Sequence, residues 1–528
     1  MLKNKYFLYI TEFFSGMSVM AVELGASRLL APYFSSSQIV WTIIIGTIMI
    51  SMALGNLYGG RTADQKPDPD YLYRRILIAA IWIGVIPLLG KYVIVLISGV
   101  LVFTVSTNFL ILAALASCMI IFVFPLFLLG TVTPSLARYT MESLDDSGRV
   151  VGSLNACNTI GSIIGTFIPT FVTIPAAGTA ATFLIFSSIL LVLCILYFGA
   201  KFFRKKTFIA GLLIFVLCCV FGHDSAFAFW EKGLTYEGES VYNYLQVYDT
   251  PAETVLSTNV LFGVQSVYSK EDSLTGMYYD YALAAPLMCP ADHAASPDIL
   301  ILGMGSGTYA SRCERFFPKA SVTGVEIDEK ITSLARTYFH LPEEADVVTY
   351  DGRAFLQVSD KKYDVIMVDA YQDITIPFQM SSQEFFRQVK SHLKEGGIMV
   401  VNMNMKSGQS GSINEYLTDT ICSVFACAST VDVPGYTNRV LYASDDASYL
   451  DRFEDNISQI SDADLKALMQ AALEKQNTCH PGDHILTDDK APVELLGMRA
   501  IDELIAEELS YYKLLLKEQG IEGLIGAL

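Results

Sequence analysis

Ile299-Leu-Ile-Leu-Gly303-Met-Gly305-Ser-Gly307-Thr308, followed by Val322-Thr-Gly-Val-Glu326-Ile-Asp328, decides how this chain is read. A short, wholly apolar run ends in three alternating glycines, and about twenty residues later a second apolar run ends in an acid. That order predicts strand, glycine turn, helix, strand, acidic residue. The glycines allow a sharp turn and close approach of backbone to a ligand, and Glu326 at the end of the second strand can accept hydrogen bonds from both hydroxyls of a ribose. The stretch therefore predicts a site for an adenosine-type cofactor. The competing reading, a plain tight turn, leaves the position of Glu326 unexplained.

Outward from this stretch the chain divides by composition. It has 528 residues, of which 52% are hydrophobic, and a mean hydropathy of +0.41, too apolar for an ordinary soluble enzyme and long enough for two domains. The apolar excess lies in residues 1–225, which hold only 14 basic and 9 acidic side chains; residues 226–528 hold 22 and 45. The acidic second half argues against nucleic acid as a partner and favours a cationic substrate, although acidity also serves solubility. The 10 cysteines form no CxxC pattern and the histidines number 6, so no metal site is expected.

Seven apolar stretches in the first half reach the roughly 20 residues needed to cross a bilayer: about 6–31, 37–59, 74–97, 109–134, 152–174, 178–200 and 207–225, with 73–134 open to three short spans instead of two. The expected location is a multi-pass cell membrane protein. With seven spans and the N-terminus inside, Lys3, Lys5, Arg61, Lys66, Arg74, Arg75, Arg138, Arg149, Lys201, Arg204, Lys205 and Lys206 fall on the cytoplasmic side, which puts the second half outside. The cytosolic supply of adenosine cofactors points the other way, and the sequence leaves the side open. Glu12 and Glu23 are three helical turns apart and share a face with a potential polar path or cation site; a structural Glu23–Arg28 pair near an interface is the competing reading. Gly55/Gly59 and Gly161/Gly165 predict close helix packing.

The second half opens with alternating polar and β-forming residues from Tyr236 to Ser269, a small β-sheet. From 299 to about 402, strands and helices alternate as in a doubly wound parallel sheet, whose ligands bind at the carboxyl ends of the strands. The apolar runs are Ile299–Leu302, Val322–Ile327, Val347–Tyr350, Val365–Val368 and Ile398–Val401, and the acids at or just past their ends are Glu326, Asp351 and Asp369.

The residues from about 236 to 497 resemble the spermidine synthases, aminopropyltransferases on the S-adenosylmethionine-methyltransferase (Rossmann-like) fold. The resemblance runs through Glu239-Ser-Val-Tyr242, Gly263-Val-Gln265-Ser-Val267, Tyr278-Tyr-Asp-Tyr281, Gly303-Met-Gly-Ser-Gly307, Val325-Glu-Ile-Asp328, Asp351-Gly-Arg353, Asp369-Ala-Tyr371 and Thr487-Asp-Asp-Lys-Ala-Pro-Val-Glu494. The whole chain is similar to bacterial proteins that fuse such a domain to transporter-like helices, a likeness carried by Glu23–Phe34 and Leu54–Asp64. Gly59–Asp64 resembles a loop of major-facilitator transporters. The resemblance implies S-adenosylmethionine or its decarboxylated form as co-substrate and no metal. It assigns Glu326 to the ribose, Asp351 and Gly352 to the adenine, and Gln265 with Gly303, Gly305, Ser306 and Gly307 to the amino-acid tail. Asp369 and Tyr278 would meet an incoming amine or polyamine, the carboxylate positioning it and taking its proton.

Two departures stand out. The family carries Asp where this chain has Ser306, and a second Asp three residues after Asp369, where this chain has Gln372 and then Asp373. Asp373 is the candidate replacement. Tyr371, Pro377 and Phe378 are candidates for lining an acceptor pocket or, equally, for packing the lid over it. The expected organisation is a helical transmembrane bundle over 1–225, a small β part over 226–290, a Rossmann-like catalytic domain over 291–500 and a packing helix over 501–528. The expected activity is aminopropyl transfer to a polyamine at the lipid bilayer. The rivals are a membrane-tethered methyltransferase on the same fold, and a transporter or sensor gated by cofactor or polyamine. The resemblance admits a homodimer; the sequence itself leaves the oligomeric state open.

Overall fold

The computed structural model describes residues 5–105, 108–141, 147–223, 226–231, 233–258, 264–271, 274–341, 345–370, 376–404 and 409–506. The chain forms two units, one of Met1–Glu231 with Gly238–Tyr244, the other of Lys232–Glu237 with Leu245–Leu528.

The first unit is helical, and its apolar sequence supplies the helices directly: Lys5–Phe34, Gln38–Gln65, Pro69–Thr104, Phe109–Ile121, Val123–Gly130, Val132–Thr140, Ser147–Ile168, Ile174–Phe198 and Lys206–Phe221. Ser37 and Asp68 start two of them by accepting from the backbone amides of Val40 (3.3 Å) and Asp70 (3.0 Å). Among the described residues, 4 helices are long and apolar enough to cross a membrane by length and hydropathy, or 5 if the bent pair Phe109–Ile121 and Val123–Thr140 counts as one. The region 73–134 holds one long helix and this bent pair rather than three short ones. One of the long stretches, Ser147–Arg204, bends at Gly178, whose φ of 83° breaks the helical run. The stretch expected at 207–225 makes a helix of only 16 residues.

Close packing depends on the small residues. A Cβ at Gly161 or Gly165 would collide with the carbonyl of Phe13 or Met17, and one at Gly55 with that of Phe127. Glu12 is buried, its Oε1 accepting from Thr133 Oγ1 (2.6 Å) and Asn158 Nδ2 (2.8 Å). Arg28 donates to the carbonyls of Ser240 and Val241 within the same unit, and no ion pair between Arg28 and Glu23 is seen among the described residues.

In the second unit an antiparallel sheet of β1 (Leu234–Glu239), β2 (Tyr244–Asp249), β3 (Glu253–Ser257) and β4 (Val264–Ser269) precedes the nucleotide-type sheet. That sheet contains β5 (Asp298–Leu302), β6 (Ser321–Glu326), β7 (Asp346–Thr349), β8 (Tyr363–Val368), β9 (Leu393–Met403), β10 (Cys427–Asp432), β11 (Arg439–Ser444) and β12 (Asn477–Thr478), ordered β12-β10-β11-β9-β8-β5-β6-β7. The strands from β5 to β9 run parallel and β11 inserts antiparallel between β9 and β10. Val365–Val368 of β8 and Ile299–Leu302 of β5 are buried, which is why both read as unbroken apolar runs. The chain order reverses between β5 and β8, and the crevice at their carboxyl ends is where a Rossmann-like sheet places its ligand. Residues 507–528, most of the expected packing helix, lie outside the described residues.

The glycine packing sets up a paired comparison on one helix. Gly165→Ala should lower the melting transition of the detergent-purified chain, by about 1–3 kcal/mol of lost stability. Gly152→Ala, where nothing lies within 4 Å of the added Cβ, should leave it unchanged or raise it.

Candidate active site

The glycine loop is held from three directions. Gly303 and Met304 both donate from their amides to the Val325 carbonyl of β6 (2.9 and 3.1 Å). Gly303, Gly305 and Gly307 have φ of 85°, 55° and 80°, the left-handed region in which other residues are strained. At Gly303 the second constraint is space, since a Cβ would lie 2.5 Å from the Cα of Ala370. The loop is thereby pressed against the backbone that leaves β8, where Asp369 donates from its amide to the Leu302 carbonyl (2.9 Å).

Two carboxylates face this loop. Glu326, at the end of β6, is buried; its Oε2 accepts from Gly305 N (2.8 Å) and its Oε1 from Asp328 N (3.0 Å). Burial nonetheless pushes its carboxyl up to about 7, against those backbone hydrogen bonds. Asp369 follows β8, with Oδ2 accepting from Tyr278 Oη (2.6 Å) and Oδ1 from Asn402 Nδ2 (2.9 Å). Crowding by protein pushes Asp369 up to about 7 as well; the two hydrogen bonds oppose the rise, and the charge on Glu326 adds to it. Among the described residues no lysine or arginine pairs with either acid.

Tyr278 opens the short helix Tyr278–Ala282. The turn before it is fixed by buried Asp280, which accepts from Thr275 Oγ1 (2.8 Å) and Gly276 N (2.8 Å) and faces Arg312 at 3.5 Å. Asp351 caps the helix Gly352–Val358 through Ala354 N (2.8 Å). Gln265 is half-buried in β4, beside Ser266, whose Oγ would lie 3.3 Å from a Cβ at Gly305. Ser306 is buried and shares a hydrogen bond with Thr308 Oγ1 (3.0 Å). Asp373 and Tyr371 lie outside the described residues.

The profile of the spermine/spermidine synthase domain matches residues 286–444. A probable polyamine aminopropyl transferase of Bifidobacterium longum is 51% identical over 352 residues, which cover 63% of this chain and 78% of that protein. The chain belongs to the polyamine aminopropyltransferase family. A more distant relative, the polyamine aminopropyltransferase of Vibrio vulnificus, is 26% identical over 241 residues, or 44% of this chain and 77% of that protein. A solved probable spermidine synthase from Corynebacterium glutamicum is 19% identical and superposes with a TM-score of 0.36 over 48% of this chain and 97% of its own.

For an aminopropyltransferase, the structure brings together Tyr278, Asp369, Glu326 and the loop glycines. It also adds residues that the sequence analysis missed. Asn402 was signalled by a polar residue directly after the apolar run Ile398–Val401. Asp488, from the Thr487–Glu494 motif, receives both Nη atoms of Arg353 (2.8 and 2.7 Å), while Arg353 also donates to the Gln379 carbonyl (2.9 Å). That clasp ties the segment after the 371–375 stretch to the helix capped by Asp351.

Gly303→Ala should cost about 1–3 kcal/mol, through positive φ and the Ala370 contact together. The measurement is the melting transition of the full chain, where Gly276→Ala, strained in φ but with nothing within 4 Å, should lower it less.

Proposed function

We propose that the chain is a membrane-resident aminopropyltransferase that moves an aminopropyl group from decarboxylated S-adenosylmethionine to an amine or polyamine. One observation supports the reading: two crowded carboxylates, Glu326 and Asp369, stand at the carboxyl ends of β6 and β8, and among the described residues no cationic side chain matches them. Uncompensated negative charge in a cleft is complementary to a sulfonium and an ammonium. The residues suit such a nucleoside. Glu326 keeps lone pairs for ribose hydroxyls beyond its two backbone bonds, Asp351 and Gly352 stand at the next strand end for the adenine, and Gln265 and the glycine loop flank the tail.

The co-substrate supplies a propyl carbon activated by its sulfonium, with methylthioadenosine as leaving group. The chain supplies position and a proton acceptor. Tyr278 and Asn402 hold both oxygens of Asp369, so the carboxylate meets the amine in one orientation and takes its proton as the new carbon–nitrogen bond forms. A carboxyl held near 7 suits proton acceptance at neutral pH far better than an ordinary aspartate would.

Methyl transfer from S-adenosylmethionine is the second reading, favoured by Ser306: the loop presents no carboxylate there, and the hydroxyl is bonded to Thr308. Membrane residence is supported by the apolar helices and by exposed Met49, Ile50, Leu57 and Leu96 on them. In this reading the N-terminus and the loop bearing Lys66 face the cytoplasm.

Mass spectrometry of products from the full-length protein with either co-substrate and putrescine or spermidine decides the chemistry. Aminopropylated product is expected, and methylated product alone would overturn the assignment. Asp369→Asn should lower kcat by on the order of 10²–10⁴ with co-substrate affinity retained, whereas Glu326→Gln should weaken co-substrate binding by roughly 10- to 100-fold. Alkaline carbonate should leave the chain in the membrane pellet; its release would contradict membrane residence.

A further inference from the structure

Asn402 holds Asp369, and Asn402 is itself held. Its Oδ1 accepts from Asn438 Nδ2 at 2.9 Å, while its own Nδ2 donates to Asp369 Oδ1 at 2.9 Å. Asn402 is 4% exposed in β9, and β11 pairs with β9 so that Val440 lies opposite Asn402 and Arg439 opposite Met403. Asn438 therefore enters from just before the paired part of β11, at the strand end where β8 delivers Asp369. Its backbone is anchored on both sides: the Asn438 carbonyl accepts from Val433 N (3.0 Å), and neighbouring Arg439 pairs with Asp432 (2.6 Å).

A carboxamide has a donor side and an acceptor side, and nothing in its shape distinguishes the two. Turned over, Asn402 would set its carbonyl oxygen against the Asp369 carboxylate and withdraw one of the donors that favours the charged form. The donor that Asn438 presents opposes that turn, because it pairs with the Asn402 carbonyl and leaves the N–H₂ side for Asp369. We propose that Asn438 is a positioning residue for amine transfer, fixing the Asn402 carboxamide so that Asp369 accepts a hydrogen bond from it. The inference rests on the aminopropyltransferase reading for its functional meaning, but the orientation itself can be measured without turnover.

The test uses the full-length protein. Asn438→Asp keeps the shape and replaces the donor with an acceptor, which would claim the Asn402 N–H₂ and turn its carbonyl toward Asp369. Asn438→Ala removes that donor from the Asn402 carbonyl. The titratable groups facing Asp369 are Tyr278 and Glu326, and the charged groups beside Asn438 are Arg439 and Asp432; all four are unchanged in these variants, and Asn438→Asp adds one carboxylate whose charge also raises the midpoint, so Asn438→Ala reads the orientation without it. Infrared difference titration, with Asp369→Asn identifying the band, reads the protonation of Asp369 directly. In Asn438→Asp the midpoint should rise by about half to one pH unit, the size expected for one hydrogen bond to a carboxylate. The acid limb of kcat/KM should move by the same amount, lowering activity about 2- to 5-fold at pH 7. Asn438→Ala should shift both in the same direction by less.

A midpoint identical in wild type and both variants would overturn the proposal, whatever happens to melting temperature, which a merely structural contact would also lower. Should Asn438→Asp fail to fold, the same titration of Asn438→Ser decides: a raised midpoint supports the proposal and an unchanged one overturns it. Absence of aminopropylated product in the wild type would sink the reading of the site, while the infrared midpoints still decide the positioning.

Discussion

The site depends on two carboxylates that the protein has crowded and, among the described residues, matched with no cationic side chain. Burying a carboxylate is costly unless it is paired, and the fold meets that cost only in part. Glu326 takes the backbone amides of Gly305 and Asp328, and Asp369 takes a phenol and a carboxamide, all neutral donors. Both acids consequently sit near neutrality rather than in the ordinary carboxylate range. Such a cleft is poised for a cationic ligand, and its geometry follows from the sheet. The chain order reverses between β5 and β8, the glycine loop leaves β5 there, and Gly303 lets that loop touch the backbone beside Asp369.

The acids arrive from strand ends, which are rigid, while their partners arrive from elsewhere in sequence. Tyr278 comes from a helix preceding the sheet, Asn402 from β9, and Asn438 from the turn before β11. Each hydrogen bond thus joins segments 33 to 91 residues apart. The Arg353–Asp488 clasp does the same for the segment beyond 371–375. Positioning here is a property of tertiary register, and a slip of one residue between β9 and β11 would remove it.

That explains what the sequence could and could not show. Ile299–Leu302 and Val365–Val368 announced themselves as strands because parallel strands covered on both faces carry only apolar residues, and the acids at or just past such runs pointed to the cleft. Tyr278 needed the family resemblance. Asn402 left a faint trace as a polar residue closing an apolar run, and Asn438 left none, since its role exists only once β11 is laid antiparallel beside β9. The small sheet was legible from alternation between Tyr236 and Ser269, whereas β10 to β12, which follow the parallel part, were not anticipated. In the helical unit the apolar stretches were plain. The bend at Gly178 and the shortness of Lys206–Phe221 were not, because hydropathy records composition and not the path of the backbone.

Calorimetry of co-substrate binding tests the central claim most directly. Decarboxylated S-adenosylmethionine would be titrated into the full-length protein at pH 7 in buffers of different ionisation enthalpy, so that proton exchange is separated from binding. If a sulfonium enters a cleft holding two half-protonated carboxyls, it lowers their proton affinity and should release protons, up to about one per chain. Binding with no proton release, or with proton uptake, would contradict the account: the two carboxylates would then not be the uncompensated charge that the ligand completes.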